Sequence, residues 1–488
     1  MLKILLGLQG SVMTRRTILI IGGGVAGSLL AVQLTRLPGG PWPLDVVVVE
    51  PRERLGPGTA YTNDRPEWLL NVRSQGLSAF PDQPNHFVEW LHENGIPEGE
   101  YGFCPRQTYG RYIESLVQAA LENTAINGVR VQWLANRAVA ATPTAGGCQM
   151  RVILDDGREL NANTVVLALG NFPPSMPVRP DTGYHQHPHF HANPWAPGAL
   201  RNIAPHESVM LIGTGLTSLD VLMGLRADGH RGPLLAVSRH GRWPVAHTET
   251  AVAPYPNYYA SEIAGLRTVT EVLRVVRRHV AKGAAEGYNW RAVLDALRPN
   301  LGHIWAAWPK PEQQRFMRHL ATLWSTLRHR NPPQNAAVLD ELRRSGRLQI
   351  EKGRIRHIEG RGAQMAVQIR HNHDHRWLQA DHVVLCTGPL MDYQQLKDPL
   401  IVQLRRAGLL VPDAMRLGIQ TSAEGALLDS TGAPSEHLFT LGPSLRPLWF
   451  ESTAVPELRQ QAADLAVVLA QRLAGNHPEQ ATALRRVP

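Results

Sequence analysis

The run Ile18-Leu19-Ile20-Ile21-Gly22-Gly23-Gly24-Val25-Ala26-Gly27 constrains this chain more than any other segment. Thr17 to Gly22 reads as a buried strand, a β-branched run that stops at glycine. Ser28-Leu29-Leu30-Ala31-Val32-Gln33-Leu34 then has the apolar spacing of a helix, and Pro38-Gly39-Gly40-Pro41 ends it. A second buried strand is expected from Val46 to Glu50, which completes a right-handed strand, helix, strand crossover. Within it each glycine of Gly22-x-Gly24-x-x-Gly27 has its own task. Gly22 makes the turn, Gly24 lets a pyrophosphate approach the backbone, and Gly27 lets helix and strand pack closely. The helix N-terminus offers unpaired N–H groups and a favourable dipole to the phosphates. Glu50 stands where a carboxylate accepts hydrogen bonds from both hydroxyls of an unphosphorylated adenosine ribose. Taken alone, the turn suits NAD or FAD.

The loop beyond Glu50 narrows the choice. Arg52-Glu53-Arg54-Leu55-Gly56-Pro57-Gly58-Thr59-Ala60-Tyr61 is a glycine-bearing segment placed directly after the ribose acid. FAD-binding chains commonly lay such backbone along the ribityl and isoalloxazine, so Gly58 and Tyr61 are expected at FAD. Val209-Met210-Leu211-Ile212-Gly213-Thr214-Gly215-Leu216-Thr217-Ser218 repeats the strand, turn, helix grammar, with Ser218 in place of the third glycine. Small size is what that position needs. The strand expected at Pro233 to Ser238 is followed by Arg239 with no acid at its end, and a Ser-Arg pair there suits a 2′-phosphate. Gly213, Gly215, Ser218 and Arg239 are therefore expected to bind NADPH in preference to NADH. Two such units in one chain imply electron flow from nicotinamide to flavin.

At 488 residues the chain can bury two or three cores. The expected class is α/β, with two Rossmann-like dinucleotide-binding domains, one for FAD and one for NAD(P), and a helical insertion. Further strands are expected at Val129 to Leu134, Met150 to Leu154, Thr164 to Leu169, Met365 to Ile369 and Val383 to Cys386, and a final helix at Val455 to Leu473. The spacing of Leu266, Val269, Val272, Leu273 and Val276 is helical. Residues 14–200 are then the first part of the FAD domain. Residues 201–384 form the NAD(P)H domain with its insertion at about 255–345, and 385–475 return to the FAD domain.

The formal charge is +9, but the basic residues are scattered, mostly arginine and interleaved with acids, so no nucleic-acid path is marked. The excess positive charge suits anionic phosphate cofactors. Cys104, Cys148 and Cys386 lie far apart with no C-x-x-C, which argues against a disulfide framework or a thioredoxin-reductase-like dithiol. The patch Ile4-Leu5-Leu6-Gly7-Leu8 is too short to span a membrane and lacks a signal-cleavage region, and Met13 is an alternative start. The expectation is a cytoplasmic protein with no membrane span.

Other features carry less. His185, His187, His189 and His191 alternate, which in extended chain puts them on one face, but no carboxylate or thiol joins them. Pro188 and Asn193-Pro194-Trp195 read as a linker, so no metal is expected. Asp220 and His247 have acid-base chemistry but no defensible partner, and the catalytic residues stay unassigned. Trp290, Arg291, Trp305, Trp308, Arg315, Arg318, Trp324, Arg328 and Arg330 of the insertion either line an anionic substrate pocket or form a packing face with solvated arginines.

Several segments beyond the turns resemble a bacterial FAD/NAD(P)-binding protein family related to the flavin-dependent N-hydroxylating monooxygenases. They are Gly58-Thr59-Ala60-Tyr61 with Leu69-Leu70-Asn71-Val72, Phe80-Pro81 with His86-Phe87-Val88-Glu89-Trp90-Leu91, and Pro105-Arg106 with Tyr109-Gly110-Arg111-Tyr112. Later ones are Trp324 with Arg328-His329-Arg330, Cys386-Thr387-Gly388-Pro389, and Glu451 with Ala454-Val455-Pro456-Glu457-Leu458-Arg459. The resemblance runs from about Thr14 to Leu473. It implies FAD held by the N-terminal half and the C-terminal return, with Gly442-Pro443 and the helix after Pro456 facing the flavin, and it adds Asn71 and Gly388 to the cofactor-binding residues. Two departures stand out: Cys104 before Pro105-Arg106, and Leu445-Arg446-Pro447-Leu448 where the family usually has glycine near the flavin.

The activity so implied is an NADPH-using flavin monooxygenase. Reduced flavin would capture O2 as a C4a-(hydro)peroxide and pass an oxygen to an amine or other nucleophilic small molecule. The alternatives are a flavin reductase or dehydrogenase with a non-oxygen acceptor, and a sensor holding FAD as a structural ligand. Substrate and oligomeric state are not legible.

Overall fold

The computed structural model describes residues 15–38, 43–122, 128–178 and 182–475. The apolar patch at 4–8, the start at Met13, the boundary at Thr14 and the breaker Gly39-Gly40-Pro41 lie outside them.

The first unit opens with β1 (Arg16–Ile21), α1 (Val25–Arg36) and β2 (Leu44–Val49), and the two strands are parallel with Ile18 opposite Val46 and Ile20 opposite Val48. Every residue of α1 from Val25 to Leu34 is buried, because the helix is covered on both sides. The connection onward holds α2 (Gly58–Tyr61), α3 (His86–Glu93) and α4 (Arg106–Glu122) before β3 (Val129–Leu134) joins the far edge of β2. An antiparallel meander comes after it, β4 (Ala138–Pro143), β5 (Met150–Leu154) and β6 (Glu159–Ala162), and β7 (Thr164–Leu167) then pairs parallel with β1.

The second unit repeats this plan. β8 (Phe190–His191) precedes β9 (Val209–Ile212), α5 (Leu216–Ala227) and β10 (Leu234–Ser238). A run of helices comes next: α6 (Tyr259–Glu262), α7 (Val269–Ala285), α8 (Trp290–Asp295), α9 (Leu301–Ala307), α10 (Lys310–His319), α11 (Ala321–Arg328) and α12 (Pro333–Arg344). The longest of these, α7, starts on a capping box in which the Thr268 hydroxyl accepts from the Glu271 amide and the Glu271 carboxylate accepts from the Thr268 amide. β11 (Leu348–Lys352) pairs with β10. A second antiparallel meander, β12 (Arg354–Arg361), β13 (Gln364–His371) and β14 (Asp374–Ala380), leads to β15 (His382–Leu385) beside β9. The chain then returns to the first unit through α13 (Pro399–Arg406), β16 (Ala426–Leu428), β17 (Pro434–Thr440) and α14 (Val455–Leu473).

The sheet orders are β16-β17-β7-β1-β2-β3 and β11-β10-β9-β15-β8. β1, β2, β3 and β7 thus correspond to β9, β10, β11 and β15, and each unit has a meander just before its last equivalent strand. Both glycine turns come directly after the central strand of the correspondence, β1 or β9, at the carboxyl edge of a parallel sheet where such folds bind ligands. The expected α/β class with two Rossmann-like units is what the sheets form.

Three details differ from the sequence expectations. β8 pairs with β15 in the second sheet, so residues 190–191, ahead of the expected boundary at 200, already belong to the second unit's sheet. The last helix of the expected insertion, α12, sends Leu339 and Leu342 into the second unit's core with Leu219 and Leu348, so it is the crossover helix between β10 and β11. The meander strands β4, β6, β12 and β14 had no expectation at all. Among the described residues no helix is long and apolar enough to cross a membrane.

Candidate cofactor and substrate site

The first glycine turn has the close backbone approaches its sequence promised. Gly22 has φ +107°, and a Cβ on it would lie 2.3 Å from the Ala168 carbonyl oxygen at the end of β7. A Cβ on Gly27 would lie 2.0 Å from the Gly22 oxygen. Larger residues are barred at both positions by backbone that cannot yield. The amides of the first turn of α1 lack intrahelical acceptors and point at the space an anion would take.

Glu50 ends β2 as expected and is 2% exposed. Its carboxylate accepts from the Gly23 amide at 2.8 Å, the Arg52 amide at 3.0 Å, and the Arg52 guanidinium at 2.8 and 3.1 Å. Burial pushes its carboxyl up, but Arg52 outweighs burial and holds it below the ordinary range. All four acceptor positions of the carboxylate are taken, so a ribose hydroxyl gains Glu50 only as Arg52 withdraws or shares. Sequence reading missed this partner. Arg52 also donates to the Thr59 hydroxyl at 2.9 Å, tying the acid to the loop.

That loop folds back onto the turn. The Gly56 amide donates to the Gly23 carbonyl at 2.8 Å, and a Cβ on Gly58, at φ +59°, would lie 3.0 Å from the Gly24 Cα. Glycine at both 24 and 58 is what permits the approach. Tyr61 is half-buried with its ring 5.2 Å from that of Tyr109. Asn71 accepts at its carbonyl from His247 Nε2 at 3.0 Å, a contact between the two units.

The second turn matches the first in detail. Gly213 has φ +126°, and a Cβ there would lie 2.3 Å from the Cys386 carbonyl oxygen at the end of β15. A Cβ on Gly215 meets nothing, leaving open space over the helix start. Ser218 is fully buried and donates its hydroxyl to the Gly213 carbonyl at 2.9 Å, so the serine fits where glycine was the usual choice. Gly388, at φ +83°, stands after β15 as Gly170, at φ +64°, stands after β7. Beyond β10, exposed Arg239 lines a surface pocket with Arg242, Lys352, Arg354 and Arg370. Sequence reading found Arg239 alone of these; Lys352, Arg354 and Arg370 come from strands more than a hundred residues later, and no local signal links them.

The C-terminal return closes over the first turn. Gly442, at φ +83°, sits so that a Cβ would be 3.5 Å from both Ala26 of α1 and Leu458 of α14. Its carbonyl accepts from the Ser452 hydroxyl at 2.9 Å and its amide donates to Gln461 at 2.9 Å. Pro456 lies in the first turn of α14, whose N-terminus borders this junction. Glu451 precedes it, nearly buried, accepting from Trp324 Nε1 at 2.7 Å and facing His329 at 3.3 Å. Burial pushes the Glu451 carboxyl up, yet His329, Arg328 and Trp324 together hold it at about 2. Arg298 grips Glu457 through two bonds of 2.9 and 3.1 Å, which seats the insertion on α14.

The residues set aside in the sequence find structural partners. His191 Nε2 is 3.0 Å from His382 Nδ1, whose Nε2 is 2.9 Å from Glu207, while His187 and His189 bond carbonyls of Gly362 and Asp381. Asp220 pairs with Arg106 at 3.2 Å. The tryptophans and arginines of the insertion separate: Trp290, Trp305, Trp308 and Trp324 line one apolar pocket, whereas Arg315 and Arg318 are exposed and Arg330 pairs with Asp295. The thiols of Cys104 and Cys386 are pushed by burial to about 11 and about 12, and the three cysteines are free.

Residues 19–172 match the family model described as FAD-NAD(P)-binding. Among solved structures, the ornithine N-hydroxylase of Kutzneria sp. 744 is 15% identical with a TM-score of 0.61, covering 94% of this chain and 100% of its own. The reduced ornithine hydroxylase of Pseudomonas aeruginosa is 15% identical with a TM-score of 0.62 over 94% and 100%. The FAD-bound cadaverine monooxygenase of Erwinia amylovora is 12% identical with a TM-score of 0.62 over 95% of each chain. Comparison with the curated proteins gives no match. The chain therefore shares its fold with these structures, and its residues 19–172 are similar to the FAD-NAD(P)-binding family.

Proposed function

We propose that this chain is an FAD-dependent, NADPH-using monooxygenase that oxygenates a nucleophilic atom, with an amine nitrogen as the first candidate. The observation that carries the reading is the pair of equivalent glycine turns, Gly22 against Ala168 and Gly213 against Cys386, with Gly442 of the C-terminal return set over the first turn alone. Two dinucleotides of different kinds fit this asymmetry. The amine comes from the fold relatives, which by name hydroxylate ornithine or act on cadaverine.

FAD belongs to Gly22, Gly24, Gly27, Glu50, Gly58, Tyr61, Asn71, Gly442 and Pro456, and NADPH to Gly213, Gly215, Ser218 and Arg239. Gly388, in the loop after the strand beside the second turn, belongs to the same cofactor site. Held by these residues, FAD would supply the redox chemistry, hydride acceptance from NADPH and activation of O2 in its reduced form. The chain's own work is positioning and electrostatics. The α1 N-terminus neutralises pyrophosphate, Glu50 holds the ribose after Arg52 yields, and the cations beside Arg239 read the 2′-phosphate. The α14 N-terminus favours negative charge near it. Cys104 and Cys386 are buried in different cores and Cys148 is exposed, so the three thiols are not brought together as a redox dithiol.

The test is spectroscopic. Purified protein should be yellow, bleach when mixed anaerobically with NADPH, and recover its flavin band when oxygen is admitted. A colourless protein that takes up no FAD overturns the cofactor assignment. Slow recovery in oxygen with fast turnover on a quinone identifies a reductase, and flavin that NADPH cannot bleach identifies a binding protein.

A further inference from the structure

The helices of the insertion do not pack solid. α7 turns Val269, Val272, Val276 and Val280 to one face, the spacing of a helix that covers a core, yet this face lines a pocket of about 450 Å³. Ile304 and Trp308, at α9 and its end, and Phe316 of α10 belong to the same lining. The volume is in the range of small-molecule sites.

Among the described residues the lining is apolar except for Arg277 and Glu451. Arg277 is exposed, so its charge stays in water. Glu451 differs, with a side chain only 8% exposed. It also ties the pocket to the cofactor cradle. The next residue, Ser452, bonds the Gly442 carbonyl, and Gly442 sits against Ala26 of α1. A molecule whose body fills the insertion and whose polar end meets Glu451 therefore has that end on the flavin side.

Glu451 has room for another donor. An ionised carboxylate offers about four acceptor positions. Trp324 Nε1 fills one at 2.7 Å, and His329 Nε2 approaches a second at 3.3 Å. Arg328 and Arg446 act on the carboxylate through charge, with no hydrogen bond to it among the described residues. These neighbours hold Glu451 in its anionic form and leave two acceptor positions open. In Glu50, by contrast, Arg52 and the Gly23 amide take all four.

We propose that the substrate is an apolar primary amine, its alkyl or aryl body held in the insertion pocket and its nitrogen donating to Glu451. This rests on the monooxygenase reading and narrows it to amines without a second charged group. An α-carboxylate or a second ammonium would lie against aliphatic and aromatic side chains that cannot hydrogen-bond it. The amine, O2, NADPH and a proton give the hydroxylamine, NADP+ and water. Glu451 fixes where the nitrogen lies, and the α7 face selects the body.

The test uses the full chain and needs no turnover. Trp305, Trp308 and Trp324 line the pocket, so intrinsic fluorescence is titrated with butylamine, hexylamine and octylamine, and with octanoate, cadaverine and L-ornithine. Octylamine should give a saturable change, with affinity rising about fourfold per methylene from butylamine upward. Octanoate, cadaverine and L-ornithine should each need concentrations at least tenfold higher. Val276→Phe should weaken octylamine at least tenfold by filling the pocket, with Leu273→Phe in its place if the first variant melts early. Glu451→Gln should shrink the preference for octylamine over octanoate. Absent saturation by octylamine, an affinity independent of chain length, or octanoate or cadaverine binding as tightly as octylamine overturns the proposal. Flavin absorbance and its bleaching by NADPH are recorded on the same preparation, so a failure of the monooxygenase reading is seen separately from a failure of the pocket.

Discussion

Arg106 at the start of α4 and Asp220 inside α5 form an ion pair of 3.2 Å that joins the two dinucleotide units. Both side chains are largely buried, and the Arg106 guanidinium also lies 4.9 Å over the Trp195 ring. His247 adds a second link by donating to the Asn71 carbonyl. Burial, with Arg330 and Arg73 nearby, pushes the imidazole to about 4, so it is neutral and a simple donor at pH 7. The acid and base that sequence reading left without roles are thus structural parts of the seam.

Asp220 makes that seam sensitive to pH. Burial pushes its carboxyl up to about 6 despite Arg106. The ordinary value is 3.8, so between the two the folded chain holds a proton that the unfolded chain releases. Stability from this group is present below the lower value and is lost as pH rises through the higher one, at up to ~1.4 kcal/mol per pH unit. Asp220→Asn should remove that slope. Thermal melts of the two proteins from pH 4 to 7 should show the wild type losing ground to the variant as pH rises; parallel curves would mean that Asp220 is ionised throughout.

Gly22→Ala and Gly213→Ala should separate the two cofactors. Each places a Cβ 2.3 Å from a carbonyl oxygen at a left-handed backbone position, so each damages its own turn first. Gly22→Ala should purify without flavin, whereas Gly213→Ala should remain yellow and lose anaerobic bleaching by NADPH at least a hundredfold. Flavin content and the bleaching rate are the two measurements, and loss of flavin in Gly213→Ala would show that the turns do not divide the cofactors in this way.

Arg239→Ala tests the nucleotide preference. With Arg354 and Arg370 still in the pocket, removing one guanidinium should raise KM for NADPH about tenfold, on the scale of one charge-assisted hydrogen bond, and leave KM for NADH nearly unchanged. Adding Arg354→Ala should bring the two coenzymes closer still. Equal effects on both would remove the 2′-phosphate from this site.

How far the sequence revealed all this depends on the range of the interactions. Gly22, Gly27 and Gly213 were legible because turn, strand and helix lie within ten residues and each glycine has a local reason. The α14 span was also legible, its apolar spacing being continuous. The meanders were not: β14 is exposed along most of its length, with Ala380 its one buried residue, so no alternating apolar pattern marks it. β8, two residues long, carries no period at all. The partners of Glu50 and Glu451 stayed hidden for different reasons. Arg52 is close in sequence but reads as a loop charge, and Trp324, His329 and Arg328 meet Glu451 only once the insertion has folded onto the C-terminal return.

Glu451 supplies the last prediction. Its folded value of about 2 lies below the ordinary 4.5, because His329, Arg328 and Trp324 favour the ionised form more than burial opposes it. The stabilisation is complete above pH 4.5 and is lost as pH falls toward 2. Glu451→Gln keeps the shape and removes the charge, leaving His329 without the carboxylate 3.3 Å away and buried Arg328 with Glu457 at 3.9 Å but one fewer anion near it. At pH 7 that should cost about 3 kcal/mol, the scale on which breaking a buried pair destabilises a fold. Urea unfolding at pH 7 should show the full gap between wild type and variant, and at pH 3 a gap narrowed by the protonation of Glu451 in the unfolded wild type. A gap independent of pH would mean that Glu451 acts through packing and its bond to Trp324, with its charge playing no part.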